Sequence, residues 1–313
     1  MSTIRNVDIC VCTFRRREIE DTLRSLATLR LPEDVAMRVI VVDNDVMPSA
    51  RGRVEQITRD FPHPVTYVHA PARNISIARN ACLENCTGDY AAFIDDDETV
   101  SPDWLNELLA VAERERADVV LGPVYAVYGE NVPGWMRSAD THSTFPVWVK
   151  GAIRTGYTCN VLLDLRSPAV TRHRFDLSLG RSGGEDTDFF TRVHEAGGRI
   201  AYAPGAKVHE PVPRQRASFS WLAKRRFRMG QTHGRLLAEK AHGVRQLRQM
   251  ALAGAKAGYC FGFAGVAVLL PARRNASVLR GIMHAGVIVG LMGVREIGQY
   301  GAIPASGERG NEA

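Results

Sequence analysis

Four consecutive carboxylates, Asp95-Asp96-Asp97-Glu98, follow directly on the apolar run Tyr90-Ala91-Ala92-Phe93-Ile94. An apolar run of this length reads as a buried strand, so the acids fall where that strand ends. In parallel sheets, ligands bind outside the carboxyl ends of the strands, where loops are free to carry chemistry. Carboxylates clustered there repel one another unless water or a cation screens them. Two oxygen ligands one residue apart, at Asp95 and Asp97, suit a hard divalent ion that keeps several waters and shares a diphosphate. The competing reading is a solvated acidic turn before a helix, with Ser101 as N-cap and Pro102 at the first helical position.

Neighbouring segments favour the ligand site. Val7 to Phe14 reads as a buried strand opening into a loop, and Arg15 to Leu29 follows at helical spacing. Val39-Ile40-Val41-Val42 is a second strand, ending on Asp43-Asn44-Asp45, and Val65 to His69 is a third. Strands alternating with helical stretches predict an α/β domain with a mainly parallel sheet. Thr13, Asp43 and Asp95 then lie along one edge of that sheet, which is a nucleotide site in outline.

Five pieces occur in order: Val11-Cys12-Thr13-Phe14-Arg15, Val41-Val42-Asp43-Asn44, Asn74-Ile75-Ser76-Ile77-Ala78-Arg79-Asn80, Asp95-Asp96-Asp97, and Gly183-Gly184-Glu185-Asp186-Thr187-Asp188. Together they resemble the family 2 glycosyltransferases with the Rossmann-like GT-A fold. Within that family the likeness is strongest to the succinoglycan-type glucosyltransferases of bacterial exopolysaccharide synthesis. The resemblance implies a nucleotide-sugar donor, UDP-glucose, and a polyprenyl-diphosphate-linked oligosaccharide as acceptor. It also implies Mg²⁺ or Mn²⁺ as cofactor and a β-1,4 product bond. Spacing alone does not separate such an enzyme from a nucleotidyltransferase.

Roles carried over from the family fall on particular residues. Thr13, Arg15 and Asp43 are expected at the base and ribose, with a turn cap as the alternative for Asp43. Arg79 is expected at the base or phosphates, the alternative being a structural pair with Asp95 or Asp96. Asp95 meets the donor and, with Asp97, the metal, while Asp96 turns into the hydrogen bonding of the sheet. His209, in Val208-His209-Glu210-Pro211, is a candidate on the metal or diphosphate, with a satisfied structural histidine as the other reading.

Gly183 and Gly184 permit a close backbone approach or a turn closed to other residues. The acids after them start a helix, whose dipole keeps carboxylates ionised and able to accept a proton. The family's pattern makes Asp186 the general base and Glu185 a sugar-binding neighbour, or the reverse. Asp188 is expected to orient an acceptor hydroxyl or to cap the helix. Trp135 and Trp148 are expected to form an acceptor platform or to pack on the flank. A lone base facing a metal-bound leaving group implies a single inverting displacement.

The 313 residues accommodate a catalytic unit over 1–215, a helical region over 216–300 and a disordered tail over 301–313. Net charge is +6, and the positive excess lies after Pro213. Six cysteines show no paired C-x-x-C spacing and read as buried free thiols. Arg5 and Asp8 come too early for a signal peptide, so a reduced, cytosolic catalytic domain is expected.

Ser218 to Met229 interleaves aromatic and basic residues. No recognised nucleic-acid fold accompanies it, so a membrane surface or a lipid-linked anionic acceptor is the better partner. Arg225, Arg226 and Arg228 are further candidates over the donor diphosphate. Ala251 to Leu270 and Val278 to Val294 are apolar stretches separated by Pro271-Ala272-Arg273-Arg274. They are expected to form an interfacial or re-entrant hairpin at the cytoplasmic face of the inner membrane; two true spans and a soluble bundle are the alternatives. Two other functions stay open, a transferase with galactose or rhamnose as donor sugar and a non-catalytic nucleotide-binding scaffold for polysaccharide assembly. An intact carboxylate set favours the enzyme.

Overall fold

The apolar, largely β-branched runs form strands buried on both faces, which is what a parallel sheet between two helical layers requires. The computed structural model describes residues 4–294. Its first part alternates β1 (Arg5–Thr13), α1 (Ile19–Ala27), β2 (Val35–Asp43), α2 (Arg51–Ile57), β3 (Val65–His69), α3 (Ile75–Asn85) and β4 (Tyr90–Asp95). There follow β5 (Thr99–Val100), α4 (Trp104–Glu115), β6 (Val119–Leu121), β7 (Val124–Val127), α5 (Gly134–Ser138), β8 (Trp148–Val149), β9 (Ala152–Ile153), β10 (Asn160–Asp164) and α6 (Pro168–Thr171). The remainder comprises α7 (Glu185–Glu195), β11 (Ile200–Tyr202), β12 (Val208–Pro211), α8 (Phe219–Lys240), α9 (Val244–Val266) and α10 (Pro271–Leu291).

Seven strands form one sheet in the order β11-β6-β10-β4-β1-β2-β3. Only β10 runs antiparallel to its neighbours. Alternation splits the strand residues between two cores. Ile9, Val11, Val41 and Ile94 pack with Leu23, Trp104 and Leu108 on one face. Cys10, Val42 and Phe93 pack with Ala78, Phe175 and Phe189 on the other. Register fixes the functional edge: Thr13 lies beside Asp43, Cys12 beside Asp95, and Asp43 beside His69. The expected row of strand ends is therefore present. A smaller sheet, β5-β12-β7, sets Val208 between Val100 and Val124.

Helix α1 begins at Ile19, later than the helical spacing from Arg15 suggested. Arg15 has φ 58°, a left-handed conformation that cannot propagate a right-handed helix, so residues 14–18 form a loop over the strand ends instead. All six cysteines are free. Sγ of Cys10 lies 3.6 Å from that of Cys86, and Sγ of Cys12 lies 3.6 Å from that of Cys82, which is contact between thiols of β1 and α3.

Helix α8 lies along α10 with the two backbones touching. A Cβ on Gly230 would come within 2.0 Å of the Met283 carbonyl oxygen, and one on Gly286 within 2.1 Å of that of Phe227. Gly234 and Gly290 repeat the pattern one turn on, a small-xxx-small seam on each helix. Helix α8 is also tied to the catalytic part, since Leu222 shares an apolar cluster with Met136 and Leu279. The expected boundary at residue 215 thus separates compositions rather than cores. Pro271, read as part of a linker, is instead the first residue of α10, a position that needs no N–H donor. No helix among the described residues is long and apolar enough to cross a membrane. The expected disordered tail lies outside the described residues.

The seam predicts opposite signs for one chemical change. Gly286→Ala forces α8 and α10 apart and should cost about 1–3 kcal/mol, the usual penalty of overpacking. Gly258→Ala, on α9 with open space around it, should be neutral or stabilise by up to about 1 kcal/mol through helix propensity. Thermal unfolding of the two variants checks this; equal midpoints would refute the close seam.

Candidate active site

The strand ends collect more acids than the sheet can leave unpartnered. Thr13 Oγ1 donates to Asp96 Oδ2 at 2.6 Å, turning Asp96 back toward β1 as expected. Burial pushes the Asp96 carboxyl up to about 7, with Arg16 and the Thr13 hydroxyl opposing that rise. Asp97 is gripped by Arg16 Nη1 and lies 3.5 Å from Arg216 Nη2. Asp95 is raised by burial and further by Asp97 and Asp186, while Arg79 and Arg16 pull it down. Glu98 accepts from the Asp95 backbone N–H at 2.9 Å and is raised by burial and by Asp95. Glu210 of β12 is raised by burial and by Asp97, and its Oε1 accepts from Arg216 Nη1 at 2.6 Å.

The second constellation reaches this edge through α3. Asn74 caps α3 by accepting from the Ile77 N–H at 3.2 Å, and its Nδ2 donates to the Leu177 carbonyl at 2.8 Å. Asn80 exchanges two hydrogen bonds of 2.9 Å with the backbone of Phe175. The asparagines of this motif therefore hold the loop that leads to α7. Gly183 and Gly184 both have φ 91°, which strains any other residue. A Cβ on Gly184 would also meet Thr232 Cγ2 at 2.3 Å, so α8 presses directly on the start of α7.

Glu185 and Arg79, both buried, form an ion pair there. Asp186 beside them is partly exposed. Its Oδ1 accepts from the Thr187 N–H at 2.6 Å, and Oδ2 accepts no hydrogen bond from the described residues. Asp186 is thus the accessible carboxylate of the pair, in electrostatic reach of Asp95.

The core matches the model for glycosyl transferase family 2 over residues 8–167, and a related model, glycosyl transferase family group 2, over 90–254. The chain is 61% identical over 297 residues to the succinoglycan biosynthesis protein ExoM of Rhizobium meliloti, covering 95% of this chain and 96% of that protein. The chain belongs to glycosyl transferase family 2. It is 29% identical over 252 residues to the glucosyl-dolichyl phosphate glucuronosyltransferase of Haloferax volcanii, covering 72% and 75% of the two chains. Its fold is shared with the mannosyltransferase PcManGT of Pyrobaculum calidifontis, solved with GDP-Man and Mn²⁺, at TM-score 0.61 and 18% identity over 94% and 89% of the chains.

In this glycosyltransferase several expected contacts differ. Asp43 is fully buried, and its carboxylate accepts from the Asp45 and Ala50 N–H groups and from the Tyr67 hydroxyl at 2.7–3.0 Å. It caps the loop after β2, the alternative reading, instead of facing a ribose. Arg15, half exposed, donates to Asp45 at 2.7 Å. Glu185 is buried under Arg79 and does not present itself to an acceptor sugar. Arg79 takes the structural alternative, with Glu185 as partner.

His209 and Glu210 are adjacent on a strand and so point to opposite faces. Glu210 faces the acids, while His209 lies beside Tyr125 with ring centroids 6.1 Å apart. The metal role expected of His209 therefore has no geometric support. Asp188 is spent on an i,i+4 ion pair with Arg192 at 2.8 Å along α7. Trp135 packs on Phe219 of α8, whereas Trp148 packs on Tyr202 of β11, so they form no common platform. Trp221, expected on a membrane face, instead stacks on His142 at 5.7 Å and lies under Arg216 and Arg225.

Sequence reasoning missed Arg16, Arg216, Glu210 and His142. Arg16 had a signal, since it directly follows the Thr13-Phe14-Arg15 motif. The other three come from short or irregular segments with no periodicity to place them. His142 is buried, and its Nε2 donates to the Arg216 carbonyl at 3.0 Å, which anchors the residue that reaches Asp97.

Burial, reinforced by Arg225, Arg216 and Arg226, holds the His142 imidazole below its ordinary value, with the hydrogen bond to Arg216 opposing. A depressed histidine contributes stability that is full above the unfolded value of about 6.5 and is lost as pH falls below it. The melting temperature should therefore drop between about pH 7.5 and about pH 5.5. His142→Gln, whose amide keeps a donor but does not titrate, should shrink that drop. An identical pH dependence in the variant would remove His142 from the account.

Proposed function

We propose that this glycosyltransferase moves glucose from UDP-glucose onto a lipid-linked oligosaccharide with inversion, in synthesis of a succinoglycan-type exopolysaccharide. The observation that carries the reading is the juxtaposition of Asp186, with an unengaged carboxylate oxygen, and the Asp95–Asp97 pair at the strand ends. Extensive identity to a succinoglycan biosynthesis protein supports the pathway and, through it, the donor and acceptor class. Galactose or rhamnose as donor sugar is the alternative within the same chemistry.

The acceptor hydroxyl gives its proton to Asp186 Oδ2 as its oxygen forms a bond to C1 of the sugar. The bond from C1 to the diphosphate oxygen breaks on the opposite face, and the nucleoside diphosphate leaves with the electron pair. An α-linked donor thereby yields a β-glycoside. Arg15 and Asp95 stand at the donor side of this edge, with Thr13 held on Asp96 and Arg79 on Glu185 behind them; Asp43 contributes by fixing the loop that carries Asp45.

The acid set fits a divalent cation. The carboxylates here outnumber the arginines, and Asp95 is raised by burial first and then by Asp97 and Asp186, so added positive charge is favoured. Among the described residues no three His, Cys, Asp or Glu side chains are gathered as metal ligands. Asp95 and Asp97 would hold Mg²⁺ or Mn²⁺ as a pair, leaving the other positions to water and donor oxygens. The ion would offset charge developing on the departing diphosphate. Arg16 and Arg216 orient Asp97 through their ion pairs.

The reading includes attachment to the cytoplasmic face of a membrane. Helices α9 and α10 carry Arg245, Arg248, Lys256, Arg273, Arg274 and Arg280 and no acid. Val266 and Leu269, at the turn between them, are 84% and 88% exposed. An apolar tip ringed by basic residues suits an anionic interface.

Transfer of labelled glucose from UDP-glucose into lipid-linked material tests the proposal. Asp186→Asn should bind UDP with unchanged affinity and lose about 10²–10⁴ in transfer rate. EDTA should abolish transfer, and Mg²⁺ or Mn²⁺ should restore it. Full activity in chelator would sink the metal assignment, and a dead Glu185→Gln beside a normal Asp186→Asn would exchange the two roles.

A further inference from the structure

The three carboxyl-terminal helices gather basic side chains that the transfer chemistry does not use. A cavity of about 380 Å³ opens between α9 and α10, lined by Leu252, Lys256, Tyr259, Arg280 and His284 among others. His233 of α8 stands near it. Burial first, and then Lys256, His233 and Arg280, hold the His284 imidazole below its ordinary range, so these four groups act on one another across the notch. Among the described residues, no carboxylate pairs with Lys256 or Arg280.

The surroundings are apolar. Leu252, Lys256, Tyr259, Phe263 and Val266 recur at helical spacing on α9, and apart from Lys256 all are exposed large apolar residues. A lone lysine within a lipid-facing apolar stripe is costly unless an anion meets it. The notch also has a position relative to the reaction. His233 lies eight residues beyond Arg225 on α8, about 12 Å along the helix. Arg225 covers Trp221, as does Arg216, which reaches Asp97.

From this arrangement we infer that the notch between Lys256 and Arg280 seats the monophosphate or bridging diphosphate of a lipid, whose chain runs along Leu252, Tyr259 and Phe263. The inference rests on the reading of α9 and α10 as facing a bilayer. A lipid monophosphate, or a diphosphate bridging a lipid and a sugar, carries about two negative charges against the one of a phospholipid's phosphodiester, enough to engage several basic groups at once. The lipid-borne end of an acceptor would then be held near His233, whose neighbour Thr232 presses on Gly184 just before the Glu185–Asp186 step, and its sugar end would reach Asp186 from there.

Vesicle flotation with the full chain tests it. Phosphatidylcholine vesicles would carry phosphatidylglycerol, or polyprenyl phosphate adjusted to equal total charge, with inorganic diphosphate as a soluble competitor. The wild type should prefer the terminal-phosphate vesicles by about tenfold. Lys256→Gln combined with Arg280→Gln should abolish that preference. Arg273→Gln combined with Arg274→Gln removes the same charge from the tip and should weaken all anionic binding while preserving the preference. Melting curves establish that both variants fold.

A wild type that binds both anionic vesicles equally would overturn the notch and leave the membrane reading standing. A wild type that binds neither would overturn both. A preference that survives in the Lys256/Arg280 variant, or is lost equally in the Arg273/Arg274 variant, would show diffuse attraction rather than a seat. Release by inorganic diphosphate with no lipid preference would make the site one for free phosphate and overturn the lipid assignment.

Discussion

The buried ion pair between Arg79 and Glu185 is the interaction on which the candidate site depends. It joins α3, which follows the third strand, to the first turn of α7, which arrives more than a hundred residues later. Both side chains are buried, so neither charge has much water to fall back on. Removing one partner of such a pair leaves the other uncompensated, at a cost of about 3–5 kcal/mol. Glu185 Oε2 has no hydrogen-bond partner among the described residues, and against burial Arg79 is the chief group that pulls the carboxyl down. The same guanidinium lowers Asp95. One arginine therefore sets the geometry of the Glu-Asp step and moderates the charge of the donor-side acid that Asp186 faces.

Around that pair the site is an exercise in charge crowding. Asp95, Asp96, Glu98, Glu185 and Glu210 all have carboxyls raised above their ordinary values, with burial the first cause in each. Arg16 and Arg216 enter from opposite directions, one from the loop after β1 and one from the segment after β12, and both grip Asp97. This arrangement pairs Asp97 with two arginines at the middle of the cluster, while burial raises the carboxyls around it. A site poised in this way gains from any added cation and favours a substrate whose own negative charge is shared with that cation.

The parts of this design that were legible in the sequence are those with a period or a strand end. Four apolar runs terminating on Thr13, Asp43, His69 and Asp95 became four parallel strands, with the first three residues in register and Asp95 one step away beside Cys12. The Gly-Gly-Glu-Asp step became a helix start with both glycines in the left-handed region. What failed was the direction of individual side chains. Asp43 ends a strand as expected, yet backbone N–H groups of its own loop consume it, because short acids satisfy local donors before they face a ligand. The choice between His209 and Glu210 turns on strand parity, and a strand of four residues carries too little pattern to fix it. Arg79 is expected at the base or phosphates, or beside Asp95 or Asp96, but it pairs with Glu185 far along the chain, where spacing gives no information. Trp221 looked like a membrane anchor by composition; a buried histidine that it can stack on changed its face.

Helix α8 converts these local facts into one mechanical unit. Its first turns carry Trp221 and Arg225 against the segment that delivers Arg216 to Asp97. Thr232, further along, presses on Gly184 at the start of α7, immediately before the Glu185–Asp186 step. On its other side, Gly230 and Gly234 hold α10 at backbone distance. Interfaces at this separation are stiff, since no side chain lies between them to repack. Whatever the exposed tip and basic notch of α9 and α10 engage is thus joined through a single helix to both the Glu185–Asp186 step and the arginine at the acidic edge. The carboxyl-terminal region is therefore better regarded as part of the frame that holds the acidic edge than as a separate appendage.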